Sequence, residues 1–213
     1  RDTMCTTIEL CLKHSVAIGA HPGFDDKENF GRVPVQLSSK ALYDLVSRQL
    51  DEMNKICKEL NGNLHHVKPH GAMYNMAAKD PEMSTTIAKA VFNFNPQLIY
   101  YGLSGSWMVS EAKKIGLRTA HEVFADRTYQ TNGSLTPRTN EHALIHDENE
   151  MLKQVLLMIQ QNKVEATNKS LIKIQAETIC IHGDGEQALQ FSKAIHQRLK
   201  QEGIVIQSIT QHG

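Results

Sequence analysis

Leu64-His65-His66-Val67-Lys68-Pro69-His70-Gly71 decides how this chain is read. A short apolar run ends in a cation, a proline, an imidazole and a glycine. The proline fixes the backbone between Lys68 and His70, and Gly71 lets another group approach closely. The same grammar recurs along the chain. Val16-Ala17-Ile18-Gly19-Ala20 ends in His21, and Leu98-Ile99-Tyr100-Tyr101 ends in Gly102. The run 117–121 leads into Glu122, Asp126 and Arg127, and Ile179-Cys180-Ile181 leads into His182 and Asp184. Strands alternating with helices imply a mainly parallel sheet with right-handed crossovers. In a parallel barrel or open α/β sheet the carboxyl ends of the strands lie at one rim, so these polar groups are expected to converge there. That layout points to an enzyme.

The segments between the runs read as helices. A helix over 3–13 precedes the strand 16–20, and the Pro/Gly-containing stretch 21–34 is loop. Ser38 is placed to cap a helix over 40–60, whose inner face carries Leu42, Leu45, Val46, Gln49, Met53, Ile56 and Leu60. Strand 64–68 is followed by a short helix, and Asp80-Pro81 starts a further helix to 92, since proline suits a first helical position. A strand over 98–102, a helix over 106–115 stopped by Gly116 and a strand over 118–123 come next. The polar, turn-rich stretch 126–145 is too long to be an idle connection. Asp147 caps a helix to 161, in which Met151 and Met158 read as core. A hairpin pairs 164–166 with 171–174. Strand 178–182, helix 186–201 and a last strand over 204–208 complete the order. That makes six strands of the α/β type beside the hairpin. A barrel of eight needs more, and one or two strands missing at the front would repair the count.

The 213 residues suit one large domain, and 40% hydrophobic residues supply a core. Twenty-three Lys and Arg balance twenty-three Asp and Glu with no long block of either sign, which argues against a nucleic-acid or membrane-surface role. Cys5, Cys11, Cys57 and Cys180 form neither a CxxC pair nor a zinc-ribbon spacing, as expected of thiols in a reducing compartment. No apolar stretch approaches the ~20 residues of a membrane helix, and no secretory leader opens the chain. A soluble, cytoplasmic protein is expected. The chain starts without methionine inside a helical pattern, so a segment upstream is expected to be missing.

Each strand-end residue has a chemistry. Lys68 suits a carboxylate or a developing oxyanion, and His70 suits proton transfer near neutral pH. His21 shares that logic. His182 with Asp184 reads as a base and its orienting partner, or as metal ligands. Glu122 and Asp126 add carboxylates, Arg127 adds a guanidinium, and Arg32 is placed to reach over the rim as a clamp. The competing readings are structural: a rim salt bridge for Lys68, an Arg–Asp pair for Arg127, a solvated Arg32. His65 and His66 alternate along a strand, so at most one faces the interior. There is no GxxxxGK[ST] loop, GxGxxG, GxSxG or HExxH.

Five longer segments carry a resemblance. They are the stretch from Val16 through Ala20 to His21-Pro22-Gly23-Phe24; Phe30-Gly31-Arg32; His65-His66-Val67-Lys68-Pro69-His70-Gly71-Ala72-Met73-Tyr74-Asn75; Glu122-Val123-Phe124-Ala125-Asp126-Arg127; and Ile181-His182-Gly183-Asp184-Gly185. In order and over essentially the whole chain, this resembles the LamB/YcsF family, the A subunits of bacterial 5-oxoprolinase. The resemblance implies an irregular (β/α) barrel, commonly seven-stranded, here without its first one or two strands. It implies ATP-dependent opening of 5-oxoproline to L-glutamate, performed with subunits B and C; a homo-oligomer stays open. An amino-terminal portion of roughly forty residues, with acidic and histidine residues of its own, is absent from this sequence.

On that basis Lys68, His70, Glu122, Asp126, His182 and Asp184 are expected in catalysis, and His21, Arg32, Asn75 and Arg127 on the substrate. A divalent metal is a further option, with His21, His70 and His182 as its candidate ligands. The rival readings are a stand-alone metal-dependent amidase or deacetylase, and a non-catalytic lactam-binding subunit.

Overall fold

The computed structural model describes residues 1–209. Seven helices and seven strands run in the order α1 (Asp2–Lys13), β1 (Ile18–Ala20), α2 (Ser39–Glu59), β2 (Leu64–Val67), α3 (Gly71–Ala77), α4 (Pro81–Phe94), β3 (Ile99–Leu103), α5 (Trp107–Lys114), β4 (Thr119–Phe124), α6 (Glu148–Gln161), β5 (Lys163–Glu165), β6 (Leu171–Lys173), β7 (Thr178–Cys180) and α7 (Ala188–Gln201). Five strands form one sheet in the order β1-β2-β3-β4-β7, and β5 pairs with β6 in a separate antiparallel ribbon. The β1/β2, β2/β3 and β4/β7 ladders are parallel, as the strand–helix alternation predicts. This is the α/β layout of a (β/α) barrel with fewer strands than a closed one. The described residues cluster in two compact units: Arg1–Gly102 with Trp107–Ala120, Ser208 and Ile209, and Leu103–Ser106 with His121–Gln207.

In the first unit the long helix α2 begins where a hydroxyl can satisfy a free backbone donor: Ser38 accepts from the Ala41 N–H at 3.2 Å. It turns Leu42, Val46, Leu50, Ile56 and Cys57 inward, and it packs on α4. Leu50 is wholly buried, one step around the helix from the predicted Gln49, whose amide serves the loop after β1 instead. Burial of a leucine of this kind stabilises by roughly 1.5–3 kcal/mol. Helix α4 starts at Pro81 with Asp80 as its cap, accepting from Glu82 and Met83.

In the second unit Asp147 caps α6 through the Glu150 N–H, and Asn162 ends that helix in the left-handed conformation at φ 52°. Helices α6 and α7 meet over Met151, Val155, Phe191, Ile195 and Leu199, with Ala125 beneath them. Met151 and Met158 are both fully buried, as their helical spacing predicts. The stretch 126–145 forms no named element, yet it is ordered by its own bonds. Tyr129 is buried with its hydroxyl accepting from the Phe124 N–H at 2.8 Å, and Thr128, Thr136 and Ala143 bond across the loop.

One expected element is corrected. Residues 204–208 form no strand: Gly203 turns the chain at φ 72° after α7, and Val205 and Ile206 are both exposed. Alternating apolar residues make a strand only where a sheet edge accepts their backbone groups, and no ladder includes them among the described residues. The main sheet therefore has five strands rather than six.

Candidate functional site

The predicted site residues fall into two clusters, one in each unit. In the first, the loop after β1 is sewn to the turn after β2. Lys68 N–H donates to Ala20 O at 3.0 Å, His70 N–H to Pro22 O at 2.8 Å, and Ala72 N–H to Gly31 O at 2.9 Å. The Gln49 side chain both accepts from Gly23 N–H at 3.0 Å and donates to Gly23 O at 2.8 Å, while Arg48 pairs with Asp25 at 2.5 Å. Gly71 is required at the crossing. Its φ is +56°, and a Cβ there would lie 2.5 Å from the Gly31 carbonyl oxygen.

This stitching brings His21 and His70 together. His21 Nδ1 lies 2.6 Å from Lys68 O, His70 Nε2 lies 2.7 Å from Phe30 O, and the remaining nitrogens, His21 Nε2 and His70 Nδ1, face each other at 2.9 Å. A carbonyl only accepts, so both outer nitrogens carry hydrogen. The two inner nitrogens then face each other across the pair. Around it, the Phe30 ring sits edge-on to His70 with centroids 5.2 Å apart, and the Arg32 guanidinium lies 5.0 Å over Phe30. The Lys68 ammonium lies 5.9 Å from the centroid of the buried Tyr74 ring. Asn75 is exposed on α3.

The nitrogens of this pair that could meet an ion are His21 Nε2 and His70 Nδ1, which face each other at 2.9 Å. Among the described residues no three His, Cys, Asp or Glu side chains are grouped to hold an ion. His182, the third candidate, belongs to the second cluster and is bonded to a carboxylate there.

In that cluster His182 follows β7 and Asp126 follows β4, two neighbouring parallel strands. His182 Nδ1 lies 3.0 and 2.8 Å from the two Asp126 oxygens, and the His182 backbone N–H donates to Asp126 at 3.1 Å. Burial pushes the Asp126 carboxyl up, but the His182 bonds and charge outweigh it and hold the group below its ordinary value. The imidazole stacks on Phe124 with centroids 5.6 Å apart. Nδ1–H is thus fixed on a carboxylate, which makes Nε2 the basic nitrogen. The orienting carboxylate is Asp126, from the neighbouring strand. Asp184, two residues along the chain and expected in this role, is exposed.

Glu122 is buried, 2% exposed. Arg127 is also buried, and its Nε and Nη2 donate to Ala143 O at 3.2 Å and Thr136 O at 2.5 Å. These bonds tie the guanidinium to the 126–145 loop. Gln154, which the sequence did not single out, braces the same region: its amide donates to Phe124 O at 3.0 Å and Arg127 O at 2.9 Å. A glutamine at an inward helical position was its only sequence signal.

Comparison with known proteins now bears on these clusters. The LamB/YcsF family model matches residues 1–213. The 5-oxoprolinase A subunit of Oceanobacillus iheyensis is 49% identical over 206 residues, covering 97% of this chain and 80% of that protein. The protein of the same name from Geobacillus kaustophilus is 49% identical over 205 residues, covering 96% of this chain and 80% of its own. The crystal structure of a lactam utilization protein from Thermus thermophilus superposes with a TM-score of 0.89 at 36% identity, covering 97% of this chain and 82% of that one. The chain belongs to the LamB/YcsF family.

Proposed function

We propose that the chain acts in 5-oxoproline metabolism as the A component of an ATP-dependent 5-oxoprolinase that opens the lactam to L-glutamate with partner subunits B and C. The observation that carries this reading is near-half identity, across almost the whole chain, to proteins named as the A subunits of 5-oxoprolinase. A five-membered lactam is an unstrained amide with a poorly electrophilic carbonyl. Coupling to ATP would supply the activation that such a bond lacks.

The residues fit the remaining chemistry. His182, oriented by Asp126, is the general base: Nε2 takes a proton as water adds to the ring carbonyl, and the imidazolium returns it to the ring nitrogen as the C–N bond breaks. In the first unit, Lys68 is the group suited to negative charge developing on oxygen. Glu122 positions the water. In the first unit, His21, His70 and Arg32 are suited to a substrate carboxylate, with Asn75 at that cluster's exposed margin; Asp184 is at the exposed margin of the other cluster. Arg127 acts through the loop it shapes. No step is assigned to a metal.

The test is reconstitution with subunits B and C, following glutamate and ADP together with and without a chelator of transition metals. Equal amounts of glutamate and ADP, both dependent on this chain, are expected, with no effect of the chelator. Glutamate formation without ATP would favour the stand-alone metal-dependent amidase instead. Binding of 5-oxoproline without turnover in the full assembly would favour a non-catalytic role.

A further inference from the structure

Strand β2 carries a second histidine pair that the proposed reaction leaves unused. His65 Nε2 lies 2.6 Å from the Ile209 carbonyl oxygen, and His65 Nδ1 lies 3.1 Å from His66 Nδ1. The carbonyl only accepts, so His65 Nε2 carries hydrogen. A neutral His65 then has a bare Nδ1, which can only accept from His66 Nδ1–H. The chain of bonds ends on His66 Nε2 as a lone pair. Burial, assisted by His65 and Lys68, holds the His66 pKa down at about 4, so this ring is neutral at physiological pH.

The ring is also fixed in place. It stacks on Tyr101 with centroids 4.3 Å apart and planes at 14°. On the other side it lies over Gly19, its partner across the β1/β2 ladder, where a Cβ would stand 2.2 Å from His66 Nε2. The glycine in Ala17-Ile18-Gly19-Ala20 is therefore required by the imidazole. His66 is half-buried, held between Tyr101 and Gly19.

We propose that His66 Nε2 is a fixed, neutral hydrogen-bond acceptor for the ring N–H of a cyclic amide; this rests on the lactam-opening reading above. Lys68 follows His66 by two residues, just past the end of β2, and its ammonium is near enough for its charge to act on the His66 ring. A lactam presents N–H and C=O side by side, on the same side of its ring. A bare nitrogen beside an ammonium is the complement of that pair. A carboxylate or carbonyl at the His66 position would meet a lone pair, so the acceptor selects for N–H.

Two measurements test this. In nitrogen-15 spectra of histidine-labelled protein, His66 is expected to show a protonated Nδ1 and a bare Nε2 throughout pH 5–8, with the Nε2 signal moving when 5-oxoproline is added. In competition binding to the assembled enzyme, 5-oxoproline is expected to bind about tenfold more tightly than its lactone analogue, in which ring oxygen replaces N–H. His66→Phe should remove that preference, and His66→Gln, which keeps an acceptor, should retain part of it. A protonated Nε2, or equal affinity for lactam and lactone in the wild type, overturns the inference while turnover of 5-oxoproline leaves the broader reading intact. Neither binding nor turnover of 5-oxoproline by the assembly overturns both.

Discussion

Gly71→Ala should damage this protein well beyond what one added methyl group usually does, and the cost can be worked from the turn itself. Two effects add. An L-residue at φ +56° pays about 1–2 kcal/mol for the left-handed conformation. The new Cβ would also stand 2.5 Å from the Gly31 carbonyl oxygen and 3.1 Å from its carbon, so the 30–32 backbone must retreat by about 1 Å from ordinary contact distance. That retreat breaks Ala72 N–H to Gly31 O and loosens His70 Nε2 to Phe30 O. At about 0.5–1.5 kcal/mol each, the whole substitution costs about 2–5 kcal/mol. Urea unfolding measures it, as a fall in midpoint at constant slope. Gly133→Ala is the control. Gly133 also has a positive φ, +83°, but a Cβ there meets nothing within 4 Å, so only the conformational cost of about 1–2 kcal/mol applies. Equal losses for the two variants would show that the crossing of the two loops is not the tight contact described.

Further expectations follow from other residues. Asp126→Asn keeps the shape beside His182 but removes the charge that fixes its tautomer, so kcat in the assembled enzyme should fall about 10²- to 10⁴-fold with little change in the far-ultraviolet spectrum. His66 has a folded-state pKa of about 4 against about 6.5 unfolded. The unfolded chain therefore binds the extra proton first. Stability is full above about pH 6.5 and is lost as pH falls toward 4, by roughly 3 kcal/mol; His66→Phe should flatten that part of a pH–stability curve. Leu50→Ala, at a wholly buried position, should cost about 2–5 kcal/mol in thermal or urea unfolding.

The β/α order was legible because its signals are local. Ser38, Asp80 and Asp147 announce helix starts by side-chain chemistry, and all of them cap in the structure. The final strand failed because a strand is defined by its neighbour, and 204–208 contain nothing that says whether an edge will receive them. The site divides the same way. Lys68-Pro69-His70-Gly71 was readable as a chemical turn, since proline and glycine fix its backbone. That Asp126 rather than Asp184 orients His182 follows from β4 lying beside β7, a relation between residues 56 positions apart. The loop bonds of Arg127 were hidden for a related reason. A guanidinium looks the same in sequence whether it meets a ligand or its own loop's carbonyls, and only the folded path of 126–145 brings Thr136 and Ala143 to it. The histidine pairs depend on the Lys68, Phe30 and Ile209 carbonyls, which only the folded backbone brings to the rings.

The most direct test concerns His182. In the enzyme reconstituted with subunits B and C, His182→Asn should lower the kcat for glutamate formation from 5-oxoproline at least about 100-fold while leaving KM within about threefold, because a general base acts on the chemical step and not on binding. A folded, assembled His182→Asn enzyme with kcat close to that of the wild type would contradict the account.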